Sequence, residues 1–346
     1  MKKRWLMVFT VFSLGFGLFL PDGHGQVKPI VLKYADTGAE TLTRNKAAKD
    51  TLIEIERLSK GRVKHEIFWS ESLLKAKDIL EGTKVGTCDV GATPAMVYHP
   101  ANFQIWQFTN LMYLGGYDIS GAMKAWAEMA ETDPVLKEEL KKTGVKHLAF
   151  YGYPSTFMSK KPLAKLEDFK GMRMRAVGAT AKWVSAIGGT AVPLTFYEVT
   201  EALARGTVDG TLGYLYAHYG FKFHDYCKYF TATPVANTCI INVFMNLNTW
   251  NKLPPEDQKI YEEAFRDLYP KLCVKHNDDE EAMELKAFKE AGVTTIELTP
   301  AEYHRWKESS RPLFDAYYER MSKLGADGKK IVADYEKLYK KYERKK

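Results

Sequence analysis

The chain has 346 residues, 45% of them hydrophobic and 13% aromatic, with 50 lysines and arginines against 43 acidic residues, for a net charge of +7. That length exceeds one small domain, so two lobes with substantial cores are expected. The positive surplus is spread thinly and is densest at the tail "KKYERKK", without the basic stripe and interleaved aromatics that nucleic acid requires, so no nucleic-acid partner is expected.

At the N-terminus, Lys2, Lys3 and Arg4 precede an apolar run from Trp5 to Leu20, and Gly23-His24-Gly25 offers a small-residue exit before Gln26. This pattern reads as a secretory signal peptide covering residues 1–25, with an uncleaved anchor as the alternative. The apolar run is short for a stable span, so no membrane insertion is expected after cleavage. Losing three basic residues and Asp22 lowers the net charge to +5. A mild positive field of that kind speeds capture of anions. Cys88, Cys227, Cys239 and Cys273 are widely spaced and form no CxxC or finger pattern. They leave two readings, one disulfide between Cys227 and Cys239 or four unpaired thiols.

Val31 to Ala35 reads as a first strand. Thr41 to Leu58 follows as an amphipathic helix with Ala47, Ala48, Leu52, Ile55 and Leu58 inward, and Val63 to Trp69 is a second strand. This is a β-α-β unit of a layered α/β lobe. Helix Lys75–Val85 and strand Asp89–Ala92 continue it, and Gln104–Leu114 packs the lobe. Gly121–Thr143 reads as one helix and Val145–Tyr151 as a strand.

The run Asp168-Phe169-Lys170-Gly171-Met172-Arg173-Met174-Arg175 reads as a helical turn, a glycine corner at Gly171, and a strand that puts Arg173 and Arg175 on one face. An arginine on a rigid strand presents a planar fork of donors to a carboxylate; a solvated strand face is the bland alternative. Val177–Ile187 then forms a helix. Gly188–Val199 is a strand leading into a helix stopped by Gly206, and a new strand starts at Gly210. The aromatic segment "TLGYLYAHYG" lines or covers a cleft, and Tyr229–Thr233 and Ile240–Asn246 read as returning strands. Pro254 and Pro255 open a helix with Ile260, Ala264 and Leu268 inward, and Pro270 kinks or breaks it. Tyr303–Lys323 and Gly328–Glu343 are the last helices.

Two of these stretches, "LEDFKGMRMRAVG" and "GGTAVPLTFYEVTEALARGTVDG", resemble the DctP-type periplasmic solute-binding proteins of TRAP transporters. That family runs "D(L/M)KGLKIRVP" and then "G..P.P....EVY.AL..G.VDG" at the same spacing. "KGRVKHEIFWSESLL" and "FMNLNTWNKLPPEDQKIYEEAF" resemble further family blocks, although Trp69 stands where the family usually has proline. The resemblance covers roughly residues 28–325. It implies an α/β, two-lobed periplasmic binding protein fold with a central cleft, hinge strands and a long bridging helix. The implied division is lobe I at 26–151 and 239–278, lobe II at 152–238 and 279–325, and a C-terminal helix at 326–346. It also implies periplasmic capture of a small organic anion, delivery to TRAP membrane permease subunits, and no cofactor.

Carried over residue by residue, the family's carboxylate clamp falls on Arg175, with Arg173 left on the lobe surface. The second arginine and the asparagine found in many members fall on Ser155 and Gly213. Both departures remove donors, so a polyhydroxylated or doubly charged ligand would leave buried polar atoms unpaired at about 1–3 kcal/mol each. Rings stand at matching segments instead: Tyr153, Phe157, Trp183, Phe196, Tyr214, Tyr216 and Trp69. The expected solute is therefore a monocarboxylate with an apolar or aromatic body, with core packing as the competing role for each ring. Thr93, Tyr34 and Asp36 stand at strand ends facing the cleft, with an ordinary loop role as the equal alternative for each; beside a bound anion Asp36 is favourable only as an orienter of Arg175 or of a bound water. A secreted enzyme acting on a small organic acid in the same cleft is the alternative. Against it, HExxH, GxSxG and P-loop patterns are missing and the histidines show no metal-ligand spacing.

Overall fold

The computed structural model describes residues 28–344, without the side chains of Asn237, Cys239 and Ile240. The signal-peptide reading and its cleavage point lie outside the described residues. The strands are β1 (Ile30–Asp36), β2 (Val63–Phe68), β3 (Val90–Thr93), β4 (Val145–Ser159), β5 (Arg173–Arg175), β6 (Thr190–Val192), β7 (Gly210–Gly213), β8 (Tyr229–Asn246) and β9 (Thr294–Ile296). They join in one mixed sheet in the order β2-β1-β3-β8-β4-β7-β5-β6, with β9 beside β8.

The two-lobed plan follows from two long strands. β4 has 15 residues and β8 has 18, so each runs about 50–60 Å at roughly 3.3 Å per residue. β3 pairs only with residues 242–245 of β8, and β7 only with residues 156–159 of β4. Each long strand therefore serves the first lobe at one end and the second lobe at the other. The expected strand Val145–Tyr151 continues to Ser159, and the two expected returning strands are one. Periodicity alone splits β8 because Pro234 interrupts its pattern.

The helix Thr43–Leu58 buries Ala47, Ala48, Leu52 and Ile55, but Leu58 at its last turn is 42% exposed. Gly121–Thr143 is two helices, Ile119–Thr132 and Pro134–Lys142. Pro134 cannot donate to a preceding turn, and the Asp133 carboxylate caps the new helix through the Val135 and Leu136 amides. Pro312 likewise stands at the start of Arg311–Lys323, which is separate from Pro300–Ser309. The long helical element from Pro255 to Glu290 does not break at Pro270. A π-helical turn at Ala264–Leu268 precedes the proline and absorbs the missing hydrogen bond, and the helix resumes at Tyr269. Its buried stripe is Tyr261, Ala264, Phe265 and Tyr269, so Ile260 and Leu268 lie at its margin.

Three apolar cores support the sheet. One lies under β1–β3 and the long helix, one gathers Trp106, Trp126 and Tyr335, and one in the second lobe gathers Phe157, Phe169, Trp183 and Trp306. Cys88, Cys227 and Cys273 are buried free thiols, so the Cys227 pairing is not formed.

Candidate ligand-binding site

A cavity of about 850 Å³ opens between the two ends of the sheet, walled by both lobes and by the Arg311–Lys323 helix. Ser155, Arg175, Phe196, Gly213, Tyr214 and Tyr216 all line it, as do Tyr98, Tyr197 and Phe221. This volume suits a drug-sized ligand, and the rings share the wall with aliphatic and charged side chains, among them Glu71, Lys182, Glu198 and Arg320.

Arg175 is the centre of its electrostatics. The glycine corner at Gly171, with φ of 74°, turns the chain into β5, where Met174 and Arg175 pair with Gly210 and Thr211. Arg175 is only 7% exposed. Its Nε donates to the Leu194 carbonyl at 2.8 Å and its Nη1 to the Leu212 carbonyl at 3.1 Å. The guanidinium carbon sits 4.1 Å from the Phe196 ring centroid. Among the described residues no carboxylate forms a salt bridge with it. Burial pushes its pKa down to about 10, partly offset by Tyr214, Tyr98 and Glu198. A desolvated cation without an ion pair is costly, and an anion in the cavity would offset that cost. By contrast Arg173, two residues earlier, is bound to Asp209 through both Nε and Nη2 on the exposed surface, as expected of a lobe-surface residue.

Gly213 does not contribute a polar group. A Cβ there would lie 2.9 Å from the His218 ring and 3.0 Å from the Phe196 ring. The glycine leaves room for Phe196 to slide under Arg175. The Phe196–Ala204 helix that carries this ring is fixed at its start by Glu198, which accepts from the Thr195 amide at 2.7 Å and hydroxyl at 2.8 Å. Beside it, the hydroxyls of Ser155 and Tyr214 both lie near Thr238 Oγ1, at 3.5 and 3.3 Å, so this part of the wall is weakly polar.

Several expected site residues stand elsewhere. Phe157 is fully buried among Phe169, Trp183 and Trp306, with ring centroids 5.3 to 6.2 Å away. Near this point the β4–β8 pairing shifts register, with β8 advancing from Ala236 to Thr231 while β4 advances from Ser155 to Phe157. Trp183 shares that cluster and donates to Ser309 Oγ at 2.8 Å. Tyr153 donates to Asn277 behind the sheet. Thr93 is buried and bonds the Ala76 carbonyl at 2.7 Å. Trp69 packs edge-on against Tyr34, with centroids 5.6 Å apart, outside the cavity wall.

Tyr34 and Asp36 serve a different arginine from the expected one. Asp36 takes a bidentate pair from Arg44, with Nη1–Oδ2 at 2.9 Å and Nη2–Oδ1 at 2.7 Å, while Tyr34 donates to Oδ2 at 3.1 Å. Arg44 lines the cavity. Burial opposes its charge, but Asp36 outweighs this and its pKa lies above the ordinary value. Sequence reasoning missed Arg44, because an Asp and an Arg eight residues apart across a strand–helix junction carry no local motif. It also missed Tyr98, Tyr197 and Phe221, whose placement depends on loops from both lobes.

An α/β fold with two lobes, two shared long strands and a buried guanidinium lining the cavity between them has the plan of solute-binding proteins. Comparison with known proteins makes the assignment specific. The sequence profile "Bacterial extracellular solute-binding protein, family 7" (DctP) matches residues 34–321, and the chain belongs to this family of TRAP solute-binding proteins. It is 28% identical over 302 residues, 85% of its length and 88% of the relative's, to the C4-dicarboxylate-binding periplasmic protein DctP of Rhodobacter capsulatus. A TRAP periplasmic solute-binding protein of Desulfovibrio salexigens, 27% identical, superimposes with a TM-score of 0.79 over 92% of this chain and 98% of its own. A marine metagenome TRAP protein specific for aromatic acid ligands, in complex with 3-hydroxybenzoate, has the same fold at 23% identity, with a TM-score of 0.82 over 91% and 99%.

Proposed function

We propose that this protein captures an organic monocarboxylate with an apolar or aromatic body in the periplasm and delivers it to a TRAP membrane permease, acting as a carrier and not as a catalyst. The observation that carries the reading is Arg175: a buried guanidinium, stacked on Phe196, without an ion-pair partner among the described residues and lining a cavity with several aromatic rings on its wall. A ligand carboxylate supplies the missing counter-ion, and closure of the lobes over it expels water, which strengthens the pair. Arg44, which also lines the cavity, is already neutralised by Asp36; Lys182 and Arg320 lie on the wall with Glu71 and Glu198, so Arg175 is favoured as the clamp for one carboxylate by its burial and its stack on Phe196. Ser155 and Gly213 add no charged donor for a second one.

In operation the acid bridges lobe I (26–151 and 239–278) and lobe II (152–238 and 279–325) and favours their closure, and the closed form docks on the permease. The test is a thermal-shift panel of benzoate, 3-hydroxybenzoate, succinate and sialic acid. Stabilisation by the aryl acids supports the reading; stabilisation by succinate or sialic acid alone overturns it.

A further inference from the structure

On one side of the cavity the two lobes meet at a tyrosine. Tyr197, at the second position of the Phe196–Ala204 helix in the second lobe, donates its hydroxyl to the Thr37 carbonyl of the first lobe at 3.0 Å. The acceptor is firmly held. The Thr37 amide bonds the Ala92 carbonyl at 3.3 Å, its hydroxyl accepts from Arg44 Nη2 at 3.4 Å, and Asp36 next to it is the anchor of Arg44.

The turn that buttresses this acceptor is strained. Ser70 and Glu71 are consecutive non-glycine residues with φ of 55° and 59°, in the left-handed region that few side chains adopt. Their amides reach back to the Gly38 carbonyl at 2.9 Å and the Asp36 carbonyl at 3.2 Å. The Ser70 side chain also lies within hydrogen-bond reach of the Tyr197 phenol.

On the donor side, Tyr197 is the end of a chain of rings that begins beneath the carboxylate clamp. Arg175 stacks on Phe196 at 4.1 Å; Phe196 stacks on Phe221, with centroids 5.8 Å apart; Phe221 meets Tyr197 edge-on at 5.3 Å. All four residues line the cavity.

We propose that the Tyr197 hydroxyl is the latch of lobe closure: the ring stack starting under Arg175 holds it against the Thr37 carbonyl, and this contact sets the rate at which a bound acid is released. The inference rests on the reading of Arg175 as carboxylate clamp. A carboxylate seated on Arg175 fixes the guanidinium, the guanidinium fixes Phe196, and through Phe221 the order reaches the phenol. Contiguity alone does not demonstrate coupling, so the test measures coupling directly.

Stopped-flow binding and release of 3-hydroxybenzoate separates the rates. Tyr197→Phe keeps the ring and loses the hydroxyl; release speeds about tenfold, equivalent to about 1.4 kcal/mol, while the association rate stays within about twofold. Phe221→Leu also speeds release, and the double variant releases little faster than Tyr197→Phe alone because both act on one contact. A release rate for Tyr197→Phe within twofold of wild type overturns the latch, and fully additive effects overturn the ring path. If the wild-type protein does not bind 3-hydroxybenzoate, it is the aromatic-acid reading that fails. The latch is then judged in the ligand-free protein, with spin labels on exposed Lys60 and Arg205 reporting the distance between lobes. Tyr197→Phe lengthens the mean distance if the latch exists, and identical distance distributions overturn it.

Discussion

Replacing Arg175 with methionine separates a binding role from a structural one, because the two effects differ in size. The buried guanidinium titrates near 10 and not above 12, a burial cost of about 3 kcal/mol at roughly 1.4 kcal/mol per pH unit. Methionine removes that cost and keeps a polarisable group over the Phe196 ring. It also removes two hydrogen bonds, to the Leu194 and Leu212 carbonyls, worth about 1.5 kcal/mol or more each because the donor is charged. The two changes nearly cancel, so urea denaturation of the ligand-free variant gives a stability within about 1 kcal/mol of wild type. Binding has no such compensation. A ligand carboxylate buried without its counter-ion loses about 3–5 kcal/mol, so calorimetric titration with 3-hydroxybenzoate shows affinity reduced at least a hundredfold. Affinity within tenfold of wild type refutes the clamp; a stability loss beyond about 3 kcal/mol shows that Arg175 holds the fold instead.

Arg175→Lys keeps the charge but loses the fork and the flat stack on Phe196, and calorimetry finds affinity for 3-hydroxybenzoate reduced about tenfold or more. Gly213→Asn restores the family's usual amide, yet its Cβ collides with the His218 and Phe196 rings; thermal-shift assays show weaker aryl-acid binding and no gain for succinate. Glu284, on the long helix, has its carboxyl pKa raised to about 8 by burial first and then by Glu280 and Glu281, against Lys46. Its folded value lies above its unfolded one, so stability is full below the ordinary carboxylate range and is lost as pH rises through about 8. Urea midpoints therefore fall between pH 5 and pH 9 in wild type, and Glu284→Gln flattens that fall.

The fold was legible where chemistry is local. The β-α-β start, the glycine corner before Arg175 and the helix opened by Pro254 and Pro255 all follow from short-range patterns. Boundaries failed where one residue outweighed the period, as at Pro134, where a helix breaks in the middle of a continuous apolar stripe. The π-turn before Pro270 shows the opposite, a proline accommodated by local rewinding that no pattern announces.

In the site, Arg175 was reachable through the family motif, since strand alternation alone offers Arg173 and Arg175 equally. The aromatic candidates were harder, because a ring's direction depends on the exact register of its strand. Phe157 and Ser155 share a face in an ideal strand, yet Phe157 is in the core of the second lobe and Ser155 on the cavity wall, beside a register shift in the β4–β8 pairing that no sequence pattern announces. Arg44 was hidden for another reason: its partner Asp36 and its neighbour Tyr216 meet only in the folded molecule.

The most direct measurement is a crystal structure of the protein with 3-hydroxybenzoate. The account predicts the carboxylate within hydrogen-bond distance of the Arg175 guanidinium, with the aryl ring between the lobes near Phe196 and Tyr214. A carboxylate bound elsewhere in the cavity, with Arg175 still bonded only to the Leu194 and Leu212 carbonyls, contradicts it.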